Sequence, residues 1–416
     1  MNEIEKQIHC FSAAEILLPG EADLQRWAVI ACDQFTSQPE YWEQVEALTD
    51  GVPSAFHLIY PECRLTDHPA ERISAIHENM LQVLQGNVLH SYPNCYIYTE
   101  RRFRSGSVRC GLIGCVDLEQ YDYSGTADAC VRATEETVVE RIPPRMAIRR
   151  GAALELPHVL LLCDDERRML IEPLQLRKDR LPMLYDFDLM MGGGHITGWL
   201  VSDHEKQETD QRLRDYEKHE KNKHPAHRLL YAVGDGNHSL AVAKACYEEW
   251  KRQNPEYDGV DHPARFALCE LNNIHDPCQC FEPIHRVVKH CNADALIRDL
   301  NAHSSGCGSE IPWISGDRRG TVIVSTEDGR LPLAGLQDFL DSWLMQNDGE
   351  LDYIHGTDAL TALASEPDSV GFCLPPIAKG SLFSGILSDG VLPRKTFSMG
   401  EAEEKRYYLE ARRILP

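Results

Sequence analysis

The segment Arg228–Trp250, "RLLYAVGDGNHSLAVAKACYEEW", joins a short apolar run to a helical pattern through the six residues "GDGNHS". The run Leu229–Val233 is typical of a buried strand, because it is short, apolar and bounded by a glycine. From Leu240 onward, small and large apolar residues recur at helical spacing. The segment therefore predicts a strand, a tight turn and a helix in succession.

The turn carries more polar side chains than helix capping requires. One side chain is enough for a cap, yet four polar residues follow the strand: Asp235, Asn237, His238 and Ser239. Two glycines, Gly234 and Gly236, allow a tight turn and a close approach of a ligand to the backbone. A helix start also attracts phosphate or carboxylate, because its N–H groups and dipole favour negative charge. The turn is our leading candidate for a phosphate-binding or catalytic centre, and an elaborately capped buried turn is the alternative.

The composition is that of a soluble globular protein. The chain has 416 residues, of which 43% are hydrophobic and 26% charged. This length predicts two lobes or three. We expect an N-terminal lobe over residues 1–126 and a main lobe over residues 127–416, which contains the turn and a basic C-terminal motif.

The net charge limits the classes of partner. With 42 basic and 65 acidic residues, the formal charge is −23, which repels nucleic acid and anionic lipid at long range. The first residues, "MNEIEKQIHCFSAAEILLPG", do not resemble an export signal, and the sequence contains no uncharged apolar run long enough to span a membrane. We expect a cytoplasmic protein that acts on a small molecule rather than on nucleic acid or membranes.

The fifteen cysteines are scattered, and several lie within apolar runs, where a thiol behaves as a small hydrophobe. We therefore predict that all of them are free thiols. The closest pair, Cys278 and Cys280, is flanked by His275 and His285, but no second pair follows at the spacing of a zinc site. We expect no metal there.

The rest of the chain alternates strand and helix patterns, which predicts a mixed α/β fold. Strands are predicted at "WAVIACDQF", "FHLIYPE", "CGLIGCVDL", "HVLLLC", "MLIEPL", "LLYAV", "RFALCEL", "TVIVS" and "VGFCLPP". Helices are predicted at Pro69–Gln85, Thr134–Arg141, Glu205–Lys221, Ser239–Arg252, Leu333–Gln346 and Gly400–Arg413. The linker "DDERR" favours a hairpin of "HVLLLC" with "MLIEPL", so the sheet should be mixed.

Two further segments are weaker site candidates. "MMGGGHITGW" could wrap a ligand with its glycine backbone around Gly193, with His195 as a polar contact, or it could be a plain hairpin or lid. "TEETVVERIPPR" places Glu136 and Glu140 four residues apart on a predicted helix, which suits general-base chemistry. Exposed helix carboxylates are the commoner explanation of that spacing.

Two basic segments complete the candidates. "FEPIHR" would place Glu282, His285 and Arg286 on one helical turn, so that a carboxylate orients an imidazole beside a guanidinium. "LPRKTFSMGEAEEKR" brings four cations to the predicted start of the last helix, where they either bind phosphate or balance nearby glutamates. These cations are Arg394, Lys395, Lys405 and Arg406.

Several of these segments together resemble the bacterial and archaeal family called domain of unknown function 1015. The resemblance rests on "YAVGDGNHSLAVAKA", "RATEETVVERIPPR", "LYDFDLMMGGGHITGWLV", "FEPIHRVV" and "GVLPRKTFSMGEAEEKRYYLEARRI", which span most of the chain. More distantly, the turn resembles the helix-opening motif of the ParB and sulfiredoxin superfamily. In that group, some free-serine kinases use an Asp-Gly-His-His-Arg version, whereas this chain has Asn237 and Ser239 where a His and the Arg would stand.

The distant resemblance implies phosphate binding at the turn and a nucleotide-dependent phosphotransferase, with Mg²⁺ as a possible companion ion and a small hydroxy amino acid as the first acceptor to test. Asp235 and His238 would lie near the reacting group, and a cation in place of the missing Arg would come from Arg145, Arg286, Arg394 or Lys395. Two other classes stay open: an acid–base hydrolase or isomerase that uses His238 and His285, and a binding or regulatory protein without turnover.

Overall fold

A computed structural model describes residues 10–65, 68–125, 128–137, 142–257, 262–303, 308–324 and 331–415. The contacts group the chain into two compact units. The first unit comprises Met1–Ala133, Thr137–Gln279 and Glu401–Pro416, and the second comprises Thr134–Glu136 and Cys280–Gly400. This division differs from the boundary at residue 126 that we expected, because the first unit contains both the N-terminal residues and the turn.

The strands and helices are numbered in chain order. The strands are β1 Phe11–Ser12, β2 Ala14–Pro19, β3 Val29–Ile30, β4 Leu89–Arg102, β5 Val108–Asp117, β6 Tyr121–Asp122, β7 Val131–Ala133, β8 Leu154–Glu155, β9 Leu160–Cys163, β10 Met183–Asp188, β11 His195–Val201, β12 Tyr231–Asp235, β13 Phe266–Asn273, β14 Phe281–Lys289, β15 Ser309–Ser315, β16 Arg318–Val324, β17 Glu350–His355, β18 Val370–Phe372, β19 Phe397–Met399, β20 Tyr407–Tyr408 and β21 Arg412–Arg413. The helices are α1 Leu24–Trp27, α2 Pro39–Thr49, α3 Pro69–Gln85, α4 Ile142–Arg149, α5 Glu172–Gln175, α6 Asp203–Lys223, α7 Asn237–Gln253, α8 Ala293–His303, α9 Pro332–Leu344, α10 Thr357–Ala364 and α11 Lys379–Asp389.

A large mixed sheet organises the first unit. Its order is β10-β11-β4-β5-β13-β9-β12-β7-β6, with β1 beside β5 and β2 beside β4. Strand β12 lies between β9, which is antiparallel to it, and β7, which is parallel. The predicted mixed α/β class is confirmed. The carboxyl end of β12, which carries the turn, therefore lies beside the residues that precede β9.

Several predicted elements are wrong. "MLIEPL" does not return as a strand, because Asp165 Oδ2 accepts the amides of Met169 and Leu170 and turns the chain toward α5. The hairpin with "HVLLLC" is therefore absent, and β9 pairs with β12 and β13 instead. "FHLIYPE" begins as a short 3-10 helix, Ala55–Leu58, capped by the hydroxyl of Ser54.

The two predicted helices that flank the second unit are also wrong. The chain at Thr134–Glu136 is extended, because both of its ends exchange backbone hydrogen bonds with Leu392. Residues 138–141, which include Glu140, lie outside the described residues. Within Gly400–Arg413 the chain forms a short 3-10 helix, Ala402–Glu404, followed by β20 and β21. Those strands pair with β3 and β8, so sheet pairing replaces the helix that the charge pattern predicted.

The second unit has its own sheet of order β16-β15-β18-β14-β17, with β19 beside β14. Helices α8 and α9 pack on it around a core that includes Leu296, Leu336, Val370 and Phe372. The segment "FEPIHR" lies on β14 and not on a helical turn. Because side chains alternate along a strand, His285 points to the opposite face from Glu282 and Arg286.

Buried ion pairs connect the C-terminal segment of the first unit to the large sheet. Arg406 donates to Glu270 at 2.9 Å and to Glu410 at 2.7 Å, and all three side chains are at most 7% exposed. Arg412 donates to Glu155 at 2.7 Å in the same way. Because Glu270 of β13 pairs with Leu160 at the start of β9, the Arg406–Glu270 pair brings residues 405–408 to the end of β9 that lies beside the carboxyl end of β12. In the part of the chain that the structure describes, no helix has the length and apolar character of a membrane span.

Candidate active site around the turn after β12

The predicted strand, turn and helix form as expected around "GDGNHS". Strand β12 ends at Asp235, and α7 begins at Asn237 with Gly236 as its N-cap. A glycine cap has no side-chain acceptor, so the polar side chains around it do not serve as its N-cap. Asn237, His238 and Ser239 are half-buried at the start of the helix. A side-chain N-cap is therefore absent at Gly236, and that these polar residues bind a ligand stays a prediction.

Gly236 fixes the shape of the turn. Its φ is +79°, a left-handed conformation that costs other residues free energy, and a Cβ there would lie 3.1 Å from Val159 Cα and 3.3 Å from His158 Cδ2. The close approach places the imidazole of His158 directly against the helix start. The glycine is therefore required both for the backbone angle and for this contact.

Replacing Gly236 by alanine should lower the free energy of unfolding by about 1 to 3 kcal/mol, because strain and the contact with Val159 add. Gly51 is the matched control, since its φ is +68° but a Cβ would meet nothing within 4 Å. Gly51→Ala should cost about 1 kcal/mol, which is the conformational cost alone. Urea unfolding measures both values. Equal losses would show that the approach of Val159 and His158 to the turn does not restrict residue 236.

The ammonium of Lys405 lies at the turn. Its Nζ is 3.3 Å from Asp235 Oδ2, and the two side chains are 12% and 22% exposed. The carboxylate of Asp235 also accepts the amide of Gly236 at 2.9 Å through Oδ1. A cation therefore stands beside the first turn of α7.

Strand β3 brings a second carboxylate, Asp33. Tyr407 and Tyr408 of β20 pair antiparallel with β3, so the residues that follow β3 lie next to Lys405 and Arg406, which precede β20. Burial alone would raise the pKa of Asp33, but the imidazole of His158, a hydrogen bond from Gln34 and the ammonium of Lys405 together lower it. Asp33 is therefore an ionised carboxylate at neutral pH, within electrostatic reach of His158 and Lys405.

The hydroxyl of Tyr408 joins these groups. It lies 2.9 Å from His158 Nδ1, it accepts the amide of Cys32 at 3.1 Å, and it donates to Cys32 Sγ at 3.1 Å. Burial, followed by the charge of Asp33, raises the pKa of the Cys32 thiol to about 12. The thiol is therefore a neutral structural group and not a nucleophile. We call Asp33, His158, Asp235–Ser239, Lys405 and Tyr408 the turn site.

Arg145, one of the predicted phosphate ligands, lies beside the turn site. Helix α4 packs on α7 through Ile142 and Met146 against Ala241 and Val242. Its Arg145 donates to Glu62 at 2.9 Å through Nε, and Glu62 in turn donates its amide to Cys32 O. The Arg145–Glu62 ion pair therefore lies next to Cys32, which contacts Tyr408 of the turn site.

The glycines of "MMGGGHITGW" are covered by side chains of the same unit. Arg101 donates to Gly193 O at 2.8 Å and to the carbonyls of Glu403 and Lys405, and a Cβ on Gly193 would lie 2.3 Å from the Tyr407 hydroxyl. His195 contacts Asp188 at 2.7 Å and Asp186 at 2.8 Å on the β10–β11 hairpin. The glycine segment therefore packs close to residues 403–407, which include Lys405. That it binds a ligand stays a prediction.

The predicted residues of the second unit form separate contacts there. His285 is 3% exposed, and its Nδ1 accepts the amide of Leu374. Burial lowers its pKa, and Arg286 and His355 lower it further, so the ring is neutral and enclosed. Fully buried Arg286 donates to Gln337 at 2.8 Å and to the carbonyls of Lys395 and Arg394.

The two C-terminal cations of this unit lie around one tyrosine. Arg394 donates to the hydroxyl of Tyr353 at 2.9 Å, and Lys395 Nζ lies 5.5 Å from the ring centroid. The exposed Glu136 uses its backbone amide to contact Leu392. That these cations and Glu136 serve the chemistry of the turn stays a prediction.

The sequence did not single out Asp33, His158 or Tyr408, and it treated Lys405 only as one of four C-terminal cations. These residues reach the turn through β3, β20 and the loop before β9, and within the site Tyr408 contacts Cys32 across 376 residues of chain. Every cysteine of the described ranges is a free thiol, and Cys307 lies outside them. Among the described residues, no group of three or more His, Cys, Asp or Glu side chains is arranged to hold a metal ion.

Comparison with known families identifies the chain by sequence. A sequence profile described as "Protein of unknown function (DUF1015)" matches residues 16–411. The chain belongs to the DUF1015 family. No curated protein matches the DUF1015 chain significantly.

Solved structures similar to the DUF1015 chain include SbnI with a C-terminal truncation from Staphylococcus aureus, at a TM-score of 0.37 and 9% identity, covering 69% of this chain and 82% of that one. A mutant free serine kinase in complex with ADP has a TM-score of 0.37 at 10% identity, covering 71% and 90% of the two chains. A conserved hypothetical protein from Pyrococcus furiosus has a TM-score of 0.32 at 12% identity, with the same coverage.

Proposed function

We propose that this DUF1015 protein is a nucleotide-dependent phosphotransferase whose substrate is a small molecule. The observation that carries the proposal is the pairing of a glycine-capped helix start with a half-buried ammonium, Lys405, and two carboxylates, Asp33 and Asp235. Phosphoryl transfer requires positive groups at the phosphates and a carboxylate that receives the proton of the acceptor hydroxyl. The turn site contains both kinds of group within one unit.

The phosphates would bind at the amino end of α7. This helix has 17 residues, so its dipole and first amides favour an anion. Lys405 adds a full positive charge beside Asp235, and Arg145 and His158 supply further donors around Cys32 and Tyr408. The positive charges of Lys405 and Arg145 offset the repulsion that a chain of formal charge −23 exerts on an anionic ligand.

Asp33 is the group that we assign to the acceptor hydroxyl. Its lowered pKa keeps it ionised at neutral pH, so it can accept a proton or hold a cation there. Mg²⁺ usually keeps several waters and needs only one or two carboxylates besides the phosphate oxygens of its nucleotide. Asp33 and Asp235 are the two carboxylates that would hold a Mg²⁺ ion here. The ion would neutralise negative charge on the phosphates.

The acid–base alternative that joins His238 and His285 receives less support. His285 is enclosed in the second unit with its Nδ1 occupied by the amide of Leu374. His238 stays in the proposal as a residue of the first turn of α7, next to the phosphate. The resemblance of the turn to the serine-kinase motif makes a small hydroxy amino acid the first acceptor to test.

The decisive experiment is a thermal-shift panel of purine and pyrimidine mono-, di- and triphosphates, with and without Mg²⁺. A ligand that binds only the folded state adds about 2.7 kcal/mol at a hundredfold excess over Kd, so binding gives a clear rise in Tm. A nucleotide that raises Tm is then incubated with serine, threonine and other hydroxy compounds, and phosphorylated product is measured. Asp33→Asn should keep the rise in Tm that the nucleotide gives without Mg²⁺ and lose the product.

Three results would count against the proposal in different ways. If no nucleotide raises Tm, the phosphate site at the turn is wrong. If nucleotides bind but no acceptor is phosphorylated at any pH, the chain is a nucleotide-binding protein without turnover. If Asp33→Asn forms product at the wild-type rate, the carboxylate assignment is wrong and the transfer uses another group.

A further inference from the structure

Two thiols from distant parts of the chain meet in the first unit. Cys10 directly precedes β1, Cys130 directly precedes β7, and their side chains hydrogen-bond each other. They are 4% and 2% exposed. The backbone on each side is held by the sheet, because the amide of Asp117 donates to Cys10 O and that of Leu230 to Cys130 O. The two sulfur atoms are therefore held next to each other by the fold.

Exposed cations lie over Cys130. Arg228 Nη2 is 3.7 Å from Cys130 Sγ, and Lys221 at the end of α6 adds a second positive charge. The hydrogen bond from Cys10, then these two cations, lower the pKa of Cys130 against the effect of burial. The same hydrogen bond, burial and the charge of Glu217 raise the pKa of Cys10. The pair thus combines a thiol that ionises more readily than an ordinary cysteine, Cys130, with a thiol that stays neutral and donates to it, Cys10.

We propose that Cys10 and Cys130 are a peroxide-responsive pair that closes reversibly to a disulfide. The Cys130 thiolate attacks one oxygen of a hydroperoxide and becomes a sulfenic acid, while the other oxygen leaves as water or an alcohol after protonation. The Cys10 sulfur then attacks the sulfenic sulfur, and the sulfenic oxygen leaves as water with the Cys10 proton. Two thiols lose two electrons and the peroxide gains them, and a dithiol reductant restores the pair by exchange.

Other buried cysteines of the same unit lack these features. Burial raises the pKa of the Cys95 and Cys115 thiols to about 12 each, so almost none of either is thiolate at neutral pH. Because the thiolate is the reactive form, the two cysteines are inert by comparison. They are therefore matched controls, buried to the same degree as Cys10 and Cys130.

The test treats the full chain with a small excess of hydrogen peroxide at pH 7, blocks remaining thiols and maps the peptides by mass spectrometry. We expect fifteen free thiols before treatment, two fewer afterwards, and one cross-linked peptide pair that joins Cys10 to Cys130. Dithiothreitol should restore all fifteen. Cys95→Ser should give the same cross-link, whereas Cys10→Ser and Cys130→Ser should both abolish it.

Trapping with dimedone separates the roles of the two sulfurs even if one variant is less stable. Cys10→Ser should accumulate sulfenic acid on Cys130, whereas Cys130→Ser should leave Cys10 unmodified. Oxidation of the wild type should speed up with pH and level off at a lower pH than the ordinary thiol value of 9.0 would give, because the pKa of Cys130 is lowered. A cross-link between other cysteines, or sulfenic acid spread evenly over all thiols, would overturn the proposal. Neither outcome bears on nucleotide binding at the turn.

Discussion

Lys405→Ala is expected to weaken nucleotide binding by about tenfold to a hundredfold and to remove most phosphoryl transfer. The ammonium is only 12% exposed and stands 3.3 Å from Asp235, so its loss removes the positive charge that pairs with Asp235 and lowers the pKa of Asp33. A hydrogen bond to a charged group contributes about 1.5 to 3 kcal/mol, and 1.4 kcal/mol corresponds to a tenfold change in Kd. The fall in kcat should exceed the fall in affinity, because negative charge on the transferred group grows in the transition state.

Lys251→Ala is the control for this prediction. Lys251 lies on the same unit and also forms an ion pair, with Glu119 at 2.7 Å, but it stands near the opposite end of α7. Fourteen residues of helix place it about 21 Å from Asn237. Its substitution should leave nucleotide affinity and turnover unchanged. If Lys405→Ala and Lys251→Ala both bind as tightly as the wild type, Lys405 is a structural partner of Asp235 and nothing more.

Arg406→Ala is expected to lower the free energy of unfolding by about 3 to 5 kcal/mol, since it removes one partner of a buried ion network. Despite burial, the carboxylates of Glu410 and Glu270 raise the pKa of Arg406, which is a mark of strong pairing. Without the guanidinium, Glu410 and Glu270 would both remain buried beside an empty volume. Urea or guanidinium unfolding followed by circular dichroism measures the loss.

Arg413→Ala provides the comparison, because Arg413 lies in the same segment and contacts a carboxylate, Glu15, at 2.6 Å. These two side chains are 46% and 37% exposed, so the pair should contribute less than about 1 kcal/mol. Similar losses for the two substitutions would contradict the interpretation that burial determines the importance of these pairs.

The sequence predicted local structure best where a helix has a strong pattern and a clear start. The bounds of α3 were predicted to the residue, and α7 and the turn before it also formed as expected. The pattern failed where distant partners decide the conformation. The charged, helix-like residues 400–413 form only a short 3-10 helix and then two strands, because Tyr407 and Tyr408 pair with β3 and Arg412 and Arg413 pair with β8.

The candidate site was predictable in part for the same reason. Asp235, Asn237 and His238 are adjacent in sequence, so one short segment revealed them. Asp33, His158 and Tyr408 have no local pattern that marks them, because each reaches the turn from a different segment. Their role follows only from the pairing of β3 with β20 and from the position of β9 beside β12.

The pairing of β3 with β20 also bears on how the protein folds. The indole of Trp27 donates to Leu409 O and the amide of Cys32 to Tyr408 Oη, across 382 and 376 residues of chain. Contacts of such separation carry a high entropic cost of loop closure and form late and slowly. A molecule that has built the large sheet but has not yet docked residues 405–409 would hold Asp235 without Lys405. A ligand that needs both residues would therefore select fully folded molecules, and its binding rate after dilution from denaturant would report the last step of folding.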